Sequence, residues 1–260
     1  IRNGETKYTP AAGTLRLRTA VAKKFLDENG LEYKPGNIVV SNGAKHSLIN
    51  AFTAICNPGD EVLIPAPYWV SYPEMVKLAD GVPVVINASE ERNFKVCAAD
   101  LEKALTPKTK AIVLNSPSNP TGMVYTEAEL REIADFAVEH NLYVVSDEIY
   151  EHLIYEGKHI SIASFNEKIK DLTIVINGVS KPFAMTGWRI GYAAANDEIA
   201  KAMASIQSHA SSNPNSIAQA ATVAALEGGM ECVDKMRRQF MKRRDFMVDM
   251  FNSIPGVPCK

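Results

Sequence analysis

Between residues 37 and 195, seven short runs rich in Val and Ile alternate with stretches of helical periodicity. The runs occupy residues 38–40, 61–64, 82–86, 111–114, 142–146, 173–176 and 190–194. Most are apolar at successive positions, which indicates strands buried on both faces of a sheet. Strands of this kind, separated by helices, are typical of a mostly parallel sheet between two helical layers. The sequence therefore predicts a three-layer α/β/α fold with seven strands.

Helical segments fill the spaces between several of the runs. Residues Ala44–Ile55 and Glu127–Glu139 are amphipathic, and the second segment follows Thr126 with Glu129 three residues further on. This pair is the signature of a capping box at a helix start. Residues 197–252 contain no run that predicts a strand, so we expect long helices there, with a break at the Ser-Asn-Pro sequence of residues 212–214.

The composition narrows the class of protein. Of 260 residues, 46% are hydrophobic and 22% are charged, as in ordinary soluble domains. A formal net charge of −2 without a basic block argues against nucleic-acid binding, and no apolar run reaches the roughly 18 residues that cross a bilayer. No secretory leader is visible. Scattered cysteines at 56, 97, 232 and 259 indicate idle thiols in a reducing cytoplasm and no metal site.

Lys181 follows the run at residues 173–176 and is succeeded by the apolar sequence Pro-Phe-Ala-Met. Desolvation disfavours the charged form of an amine and so favours its attack on an aldehyde. An ordinary surface lysine is the alternative at this position. Ligands of parallel α/β sheets collect beyond the carboxyl ends of the strands, which is where this amine is expected.

Two further charged residues stand next to predicted strands. Asp147 ends the apolar run at residues 142–146, and Arg189 comes just before the run at residues 190–194. The carboxylate could cap a helix, or it could keep the nitrogen of a pyridine ring protonated by its opposite charge. The guanidinium could pair with a carboxylate at the surface, or it could bind a phosphate in a fork.

Three other turns after strands carry residues able to bind a ligand. Small residues at 41–45 lead into a helix, whose free N–H groups and dipole favour an anion. Trp69 could pack in the core or lie over a flat ring. Asn115 and Asn119 bracket a Ser-Pro-Ser sequence, and the Asn-Pro-Thr-Gly that begins at Asn119 could be a simple turn. Together, the five turns match the groups of an aromatic, phosphorylated cofactor that carries an aldehyde.

Four stretches in these turns resemble one enzyme family. They are Pro-Tyr-Trp-Val-Ser-Tyr-Pro at 67–73, Asn-Ser-Pro-Ser-Asn-Pro-Thr-Gly at 115–122, Ser-Asp-Glu-Ile-Tyr at 146–150, and Ser-Lys-Pro-Phe-Ala-Met-Thr-Gly-Trp-Arg-Ile-Gly at 180–191. The sequence is similar to the class I, fold-type I aminotransferases of the aspartate aminotransferase family, which use pyridoxal 5′-phosphate (PLP). The similarity extends over essentially the whole chain.

The resemblance implies a role for each matching residue around the cofactor ring. Lys181 is expected to hold PLP as a Schiff base, and Asp147 to pair with the pyridinium nitrogen. Tyr150 and Asn119 are expected to donate hydrogen bonds to the phenolic oxygen, and Trp69 to stack on the ring. Lys181, Asp147 and Tyr150 are therefore the predicted catalytic residues.

The resemblance also implies a phosphate site and a second subunit. Arg189 is expected to bind the phosphate, aided by residues of two turns: Gly43, Ala44, Lys45 and Ser180. Tyr8 matches a tyrosine that reaches the phosphate of the neighbouring subunit, so the resemblance implies a homodimer with shared active sites.

Two departures from the family pattern concern binding. Some relatives carry a phosphate-binding serine three residues before the lysine, where this chain has Gly178. Some dicarboxylate-specific relatives carry an arginine just before residues 212–214, and none is found here. Aromatic, alanine-type and prephenate-type substrates therefore stay open beside aspartate.

The predicted function is a ping-pong transfer of an amino group from an L-amino acid, with aspartate favoured, to a 2-oxo acid. A PLP-dependent β-lyase of the same fold and a PLP-sensing domain of a transcription regulator are the alternatives. The chain has no initiating Met and ends in an apparent turn, so we expect part of a longer protein. Residues 1–245 are predicted to form the PLP-binding large domain and residues 246–260 the start of a small C-terminal domain, which would supply the arginine for the substrate α-carboxylate.

Overall fold

A seven-stranded sheet forms the centre of the computed structural model, which describes residues 1–2 and 4–259. The strands are β1 (Ile38–Ser41), β2 (Glu61–Ala66), β3 (Val82–Asn87), β4 (Thr109–Asn115), β5 (Tyr143–Asp147), β6 (Thr173–Gly178) and β7 (Gly191–Ala194). Their order across the sheet is β1-β7-β6-β5-β4-β2-β3. β7 is antiparallel to both of its neighbours, whereas the other neighbouring pairs are parallel. Each predicted run overlaps one strand, so the predicted mostly parallel sheet is confirmed.

The helices lie where the sequence pattern places them. They are α1 (Leu15–Asn29), α2 (Ala44–Ile55), α3 (Ser71–Leu78), α4 (Ala98–Ala104), α5 (Glu127–Glu139), α6 (Glu167–Leu172), α7 (Asp197–Ala210), α8 (Ser216–Glu227) and α9 (Glu231–Asn252). The capping box of α5 forms as predicted, because the N–H of Thr126 donates to the Glu129 carboxylate at 2.7 Å. The break predicted at residues 212–214 separates α7 from α8.

Helices cover both faces of the sheet, which confirms the three layers. Successive residues of one strand point to opposite faces, so Val113 packs with α2, α3 and α7, whereas Ile112 packs with α4, α5 and α6. A third apolar cluster joins α1 and α8 to β1, β6 and β7. Burial on both faces explains why the strands other than the mostly exposed edge strand β3 are continuously apolar.

The longest helix, α9, has a single buried residue among those described, Val233. Its residues 246–252 lie beyond the predicted boundary at 245, and the division into two domains stays a prediction. No helix in the described part of the chain is both long and apolar enough to cross a membrane. Cys56, Cys97 and Cys232 are free thiols.

The strand directions bring six chain segments to one edge of the sheet. β2, β4, β5 and β6 run parallel, so their carboxyl ends share that edge. β7 runs the opposite way, and Gly191 at its start pairs with Gly178 at the end of β6 and with Ser41 at the end of β1. The turns after β1, β2, β4, β5 and β6 therefore meet the segment that precedes β7.

Candidate active site

A cavity of about 270 Å³ opens at this edge of the sheet. Its walls come from the turns after β1, β2, β4, β5 and β6 and from the segment before β7. The lining residues are Ala44, Lys45, Leu48, Trp69, Tyr72, Asn115, Asn119, Asp147, Ile149, Tyr150, Ser180, Lys181, Thr186 and Arg189. The cavity therefore combines an amine, a carboxylate, a guanidinium and aromatic rings in a space that suits one small molecule.

Asp147 ends β5 and is buried, with 4% of its surface exposed. The hydroxyl of Tyr72 donates to its Oδ2 at 2.7 Å, and the N–H of Ile149 donates to Oδ1 at 3.2 Å. Burial raises the pKa of Asp147 to about 6, although these two hydrogen bonds and the charge of Lys181 act in the opposite direction. A cationic ligand group beside this carboxylate would stabilise its charged form.

Tyr72 is a site residue to which sequence reasoning gave no role. It lies in the first turn of α3 and is 1% exposed, on the same buried face as Met75 and Val76. Burial, followed by the charge of Asp147, raises the pKa of Tyr72 well above its ordinary value, so the phenol remains the donor. The signal for it was available, because a tyrosine on the apolar face of a helix needs a hydrogen-bond partner for its hydroxyl.

Trp69 stands edge-on to Tyr72, with ring centroids 5.4 Å apart and an angle of 89° between the planes. The ammonium of Lys45 lies 4.8 Å from the centroid of the Trp69 ring. This places the indole at the cavity wall and packs it partly against the core, and its stacking on a ligand ring stays a prediction.

Asn115 connects two of the turns at the cavity. Its side-chain NH₂ donates to the carbonyl oxygen of Asp147 at 2.9 Å, and its side-chain oxygen accepts from the backbone N–H of Asn119 at 2.8 Å. These bonds position the backbone at Asn119, whose side chain lines the cavity, against the end of β5. Asn115 thus acts on the site through its neighbours.

Lys181 lies in the turn after β6 and is half-buried at the cavity wall. Its Nζ is 5.5 Å from the centroid of the Tyr150 ring. Among the described residues, no carboxylate lies within 4.0 Å of this amine, whereas the exposed Lys23, Lys77 and Lys103 each form such a pair. The cavity therefore contains an amine that is not engaged in a salt bridge.

The N-terminus of α2 and Arg189 form an anion-binding corner of the cavity. Gly43 precedes α2 with φ 91°, and no side chain caps this helix end in the described part of the protein. A Cβ atom at Gly43 would lie 2.4 Å from Nη2 of Arg189. The missing side chain thus lets the guanidinium approach the helix N-terminus, where free N–H groups and the helix dipole attract an anion.

Close backbone packing holds this corner in place. A Cβ atom at Gly191 would lie 2.1 Å from the backbone nitrogen of Ala44, so only glycine permits the contact between β7 and α2. A Cβ atom at Gly178 would lie 2.9 Å from the Cα of Gly191. The serine that some relatives have in place of Gly178 would therefore require a shift of β7.

The structure brings most of the predicted site residues together. Nine of them line the cavity: Ala44, Lys45, Trp69, Asn119, Asp147, Tyr150, Ser180, Lys181 and Arg189. Gly43 is in contact with this group through Arg189. Tyr8 is 90% exposed and does not line the cavity. Asn115, which sequence reasoning named as a possible ligand-binding residue beside Asn119, also lines the cavity, and four other lining residues had no predicted role: Leu48, Tyr72, Ile149 and Thr186.

Comparison with known proteins agrees with this arrangement. A family model described as "Aminotransferase class I and II" matches residues 2–260. The chain belongs to this aminotransferase family. The aspartate aminotransferase of Bacillus sp. (strain YM-2) is 53% identical over 257 residues, which are 98% of this chain and 66% of that relative.

Solved structures of aminotransferases share the fold. The crystal structure of the aspartate aminotransferase from Rhizobium meliloti superimposes with a TM-score of 0.98 at 44% identity, covering 100% of this chain and 66% of that one. An aromatic aminotransferase from Pyrococcus horikoshii OT3 gives a TM-score of 0.94 at 42% identity, covering 97% of this chain and 68% of that one. The chain thus spans about two thirds of the length of these aminotransferases.

Proposed function

We propose that the protein is a PLP-dependent aminotransferase that moves an amino group between an L-amino acid and a 2-oxo acid. The observation that carries this proposal is the joint placement of Lys181, Asp147 and the anion-binding corner around one cavity. Membership of the aminotransferase family supports the same reaction class.

The residues present fit the three functional groups of PLP. The α2 N-terminus and Arg189, brought together at Gly43, would hold the phosphate. Asp147 would pair with the ring nitrogen, and Lys181 would bond the aldehyde carbon. When bound, the cofactor supplies an aldehyde that condenses with amines and a protonated ring that withdraws electrons from the breaking bond.

The chain's own residues then have distinct tasks. The amine of Lys181 would take the α-proton of the bound amino acid as a general base and return it as a general acid. Asp147, charged beside a cation, keeps the ring nitrogen protonated, and the hydroxyl of Tyr72 fixes the carboxylate in place. Tyr150 and Asn119 would donate to the phenolic oxygen. Release of one 2-oxo acid before the second binds gives ping-pong kinetics.

Aspartate is the proposed amino-acid substrate. The relatives from Bacillus and from Geobacillus stearothermophilus, at 53% and 50% identity, are both named aspartate aminotransferases. The aromatic aminotransferase from Pyrococcus horikoshii is 42% identical, so aromatic amino acids are the second class to assay. A substrate α-carboxylate needs a cation, which the family resemblance assigns to an arginine of the C-terminal domain.

We also propose a homodimer in which Tyr8 reaches the phosphate of the partner's site, in a cytoplasmic enzyme. Two hydrogen bonds attach the chain around Tyr8 to α8, from the Ser216 hydroxyl to the carbonyl oxygen of Glu5 at 2.9 Å and from the Gln219 amide to the Thr9 hydroxyl at 3.0 Å. The segment therefore presents the exposed Tyr8 ring outward.

The test uses full-length protein incubated with PLP. Absorbance spectra should show a bound cofactor, and borohydride reduction followed by mass spectrometry should place it on Lys181. Aspartate and 2-oxoglutarate should then give oxaloacetate and glutamate. Lys181→Ala should abolish the covalent adduct and the turnover, whereas Lys201→Ala, at an exposed lysine of α7, should change neither.

Other outcomes identify the alternatives. An amino acid with a leaving group on Cβ, such as a cysteine thioether, that gives pyruvate, ammonia and the released thiol without a 2-oxo acid acceptor would indicate the β-lyase reaction. A bound cofactor without any product would indicate a sensing domain, and the absence of a covalent adduct at Lys181 would contradict PLP binding.

A further inference from the structure

Glu151 stands one residue after Tyr150, and its side chain is 3% exposed. With Lys24, Asn29 and Asn177 it forms what we name the Glu151 cluster. Its Oε1 accepts from the ammonium of Lys24 and, at 2.6 Å, from the amide of Asn177, and its Oε2 accepts from the amide of Asn29 at 2.9 Å. Both carboxylate oxygens are therefore hydrogen-bonded inside the protein.

Charge keeps the carboxylate of this cluster ionised. Burial by itself raises the pKa of Glu151, but Lys24 and the neighbouring His152 together hold it well below its usual range. Glu28, Glu151 and His152 are close enough to hold a metal ion, but the Lys24 ammonium already pairs with both carboxylates. Burial lowers the pKa of His152, but its hydrogen bonds to Glu151 and Glu28 raise it to about 9, so His152 supplies the second positive charge. The cluster is thus a complete ion pair with amide partners.

The Glu151 cluster joins three elements that meet behind the cavity. Lys24 and Asn29 belong to α1, Glu151 to the turn after β5, and Asn177 to the end of β6. The side-chain oxygen of Asn177 also accepts from the N–H of Gly178 at 2.7 Å, where the chain turns toward Lys181. One carboxylate thereby connects the turn of Tyr150 to the turn of Lys181.

Stability alone does not account for this ion pair. Replacing a buried ion pair with apolar residues of similar volume is often neutral or stabilising, because both charges lose their hydration. A hydrogen bond that joins two turns, by contrast, defines the relative position of the groups those turns carry. Proton transfer requires the reacting groups to be held in fixed relative positions, because a displacement of about 1 Å can lower a rate by about a hundredfold.

We propose that Glu151 is a positioning residue, which fixes Lys181 and Tyr150 relative to each other through its hydrogen bond with Asn177. The inference rests on the proposed aminotransferase function. The positioning role predicts that the site keeps its geometry only with a hydrogen-bond acceptor at position 151. The negative charge of Glu151 is required only while the positive charge of Lys24 is present.

Two double variants of the full-length, PLP-loaded protein separate these roles. Lys24→Met with Glu151→Gln removes both charges but keeps an acceptor for Asn177. Lys24→Met with Glu151→Met removes the charges and the acceptor. Thermal unfolding and near-ultraviolet circular dichroism establish that both variants are folded.

Three measurements then compare the variants: kcat, KM for the amino acid, and the pH midpoint of the absorbance of the bound cofactor. The Gln variant should retain all three within about twofold or about 0.2 pH units, because its amide oxygen replaces the carboxylate. The Met variant should lose kcat about tenfold, with KM within about twofold, and its absorbance midpoint should shift. Equal kcat values and equal midpoints in the two variants would overturn the positioning role.

A single substitution provides the same comparison if the Met variant does not fold. Asn177→Leu removes the donor to Glu151 together with the acceptor for the Gly178 N–H, and it should reproduce the loss of kcat and the shifted midpoint. Its control is Asn50→Leu on α2. This change removes the buried hydrogen bond from the Asn50 amide to the side chain of Gln207 on α7, at 3.0 Å, and should leave kcat unchanged. An unchanged Asn177→Leu enzyme would overturn the inference, whereas a parent protein without bound PLP would contradict the proposed function instead.

Discussion

Asp147→Asn should make the cofactor-free protein more stable at neutral and alkaline pH. The carboxylate is 4% exposed, and without a ligand the described residues provide it only hydrogen bonds from Tyr72 and Ile149 and a more distant charge at Lys181. Burial raises its pKa from 3.8 to about 6, so the folded protein binds this proton more tightly than the unfolded chain does.

The sign and size of the effect follow from this pKa. Between about pH 4 and pH 6 the folded state retains a proton that the unfolded state has lost, so stability falls as the pH rises through this window. Each pKa unit corresponds to about 1.4 kcal/mol, and the shift of about two units therefore costs roughly 3 kcal/mol above pH 6. Asparagine at position 147 has no proton to lose and avoids this cost.

Urea denaturation of the parent protein and the variant between pH 4 and pH 8 measures the difference in unfolding free energy. The variant should gain about 3 kcal/mol relative to the parent between these limits. Any constant loss of hydrogen bonding to Tyr72 cancels, because only the change with pH is compared. The control Asp135→Asn, at an exposed site on α5, should show no such gain. A difference in unfolding free energy that stays constant between pH 4 and pH 8 would refute the reasoning.

Three further changes test the packing around the site. Tyr72→Phe removes the donor to Asp147, which raises the pKa of that carboxyl further, so urea denaturation should show a loss of about 1–3 kcal/mol that is larger at pH 8 than at pH 4. Gly191→Ala places a methyl group 2.1 Å from the backbone nitrogen of Ala44 and should lower the unfolding free energy by about 3 kcal/mol in the same assay. The control Gly36→Ala, whose added methyl group has no atom within 4 Å, should lower it by less than about 0.5 kcal/mol. Thr126→Ala removes the cap of α5 and should lower the thermal unfolding midpoint by a few degrees, equivalent to about 1 kcal/mol; an unchanged midpoint would show that the capping box contributes nothing.

Much of the fold was predictable because a buried strand appears in the sequence as a short run of apolar residues. A strand covered on both faces must be apolar at successive positions, so the six buried runs were visible without knowledge of their neighbours, whereas β3 at the edge of the sheet is mostly exposed. The same holds for the helix that begins at Thr126, whose capping residues are three positions apart. Strand direction has no comparable pattern in the sequence, and the antiparallel direction of β7 is seen only in the pairing of the strands.

The candidate site was predictable to the extent that its residues lie in turns directly after strands. Lys181 and Asp147 could be selected because each follows an apolar strand and because parallel strands end at one edge, where ligands bind. Tyr72 could not be paired with Asp147 in this way, since 75 residues separate them. The hydrogen bond between the amide of Asn177 and the carboxylate of Glu151 could not be predicted either, because 26 residues separate them.

The sequence by itself determined the chemical groups and the turns that carry them, because residue identity and hydrophobic pattern are local properties. Only the tertiary structure decided which of these groups share a cavity and which hydrogen bonds hold them there. Asp147 illustrates the difference. The sequence specifies its carboxyl group, but the raised pKa of that group arises from the surrounding fold, which removes water from it. The fold also provides the hydrogen bond from Tyr72, which acts in the opposite direction.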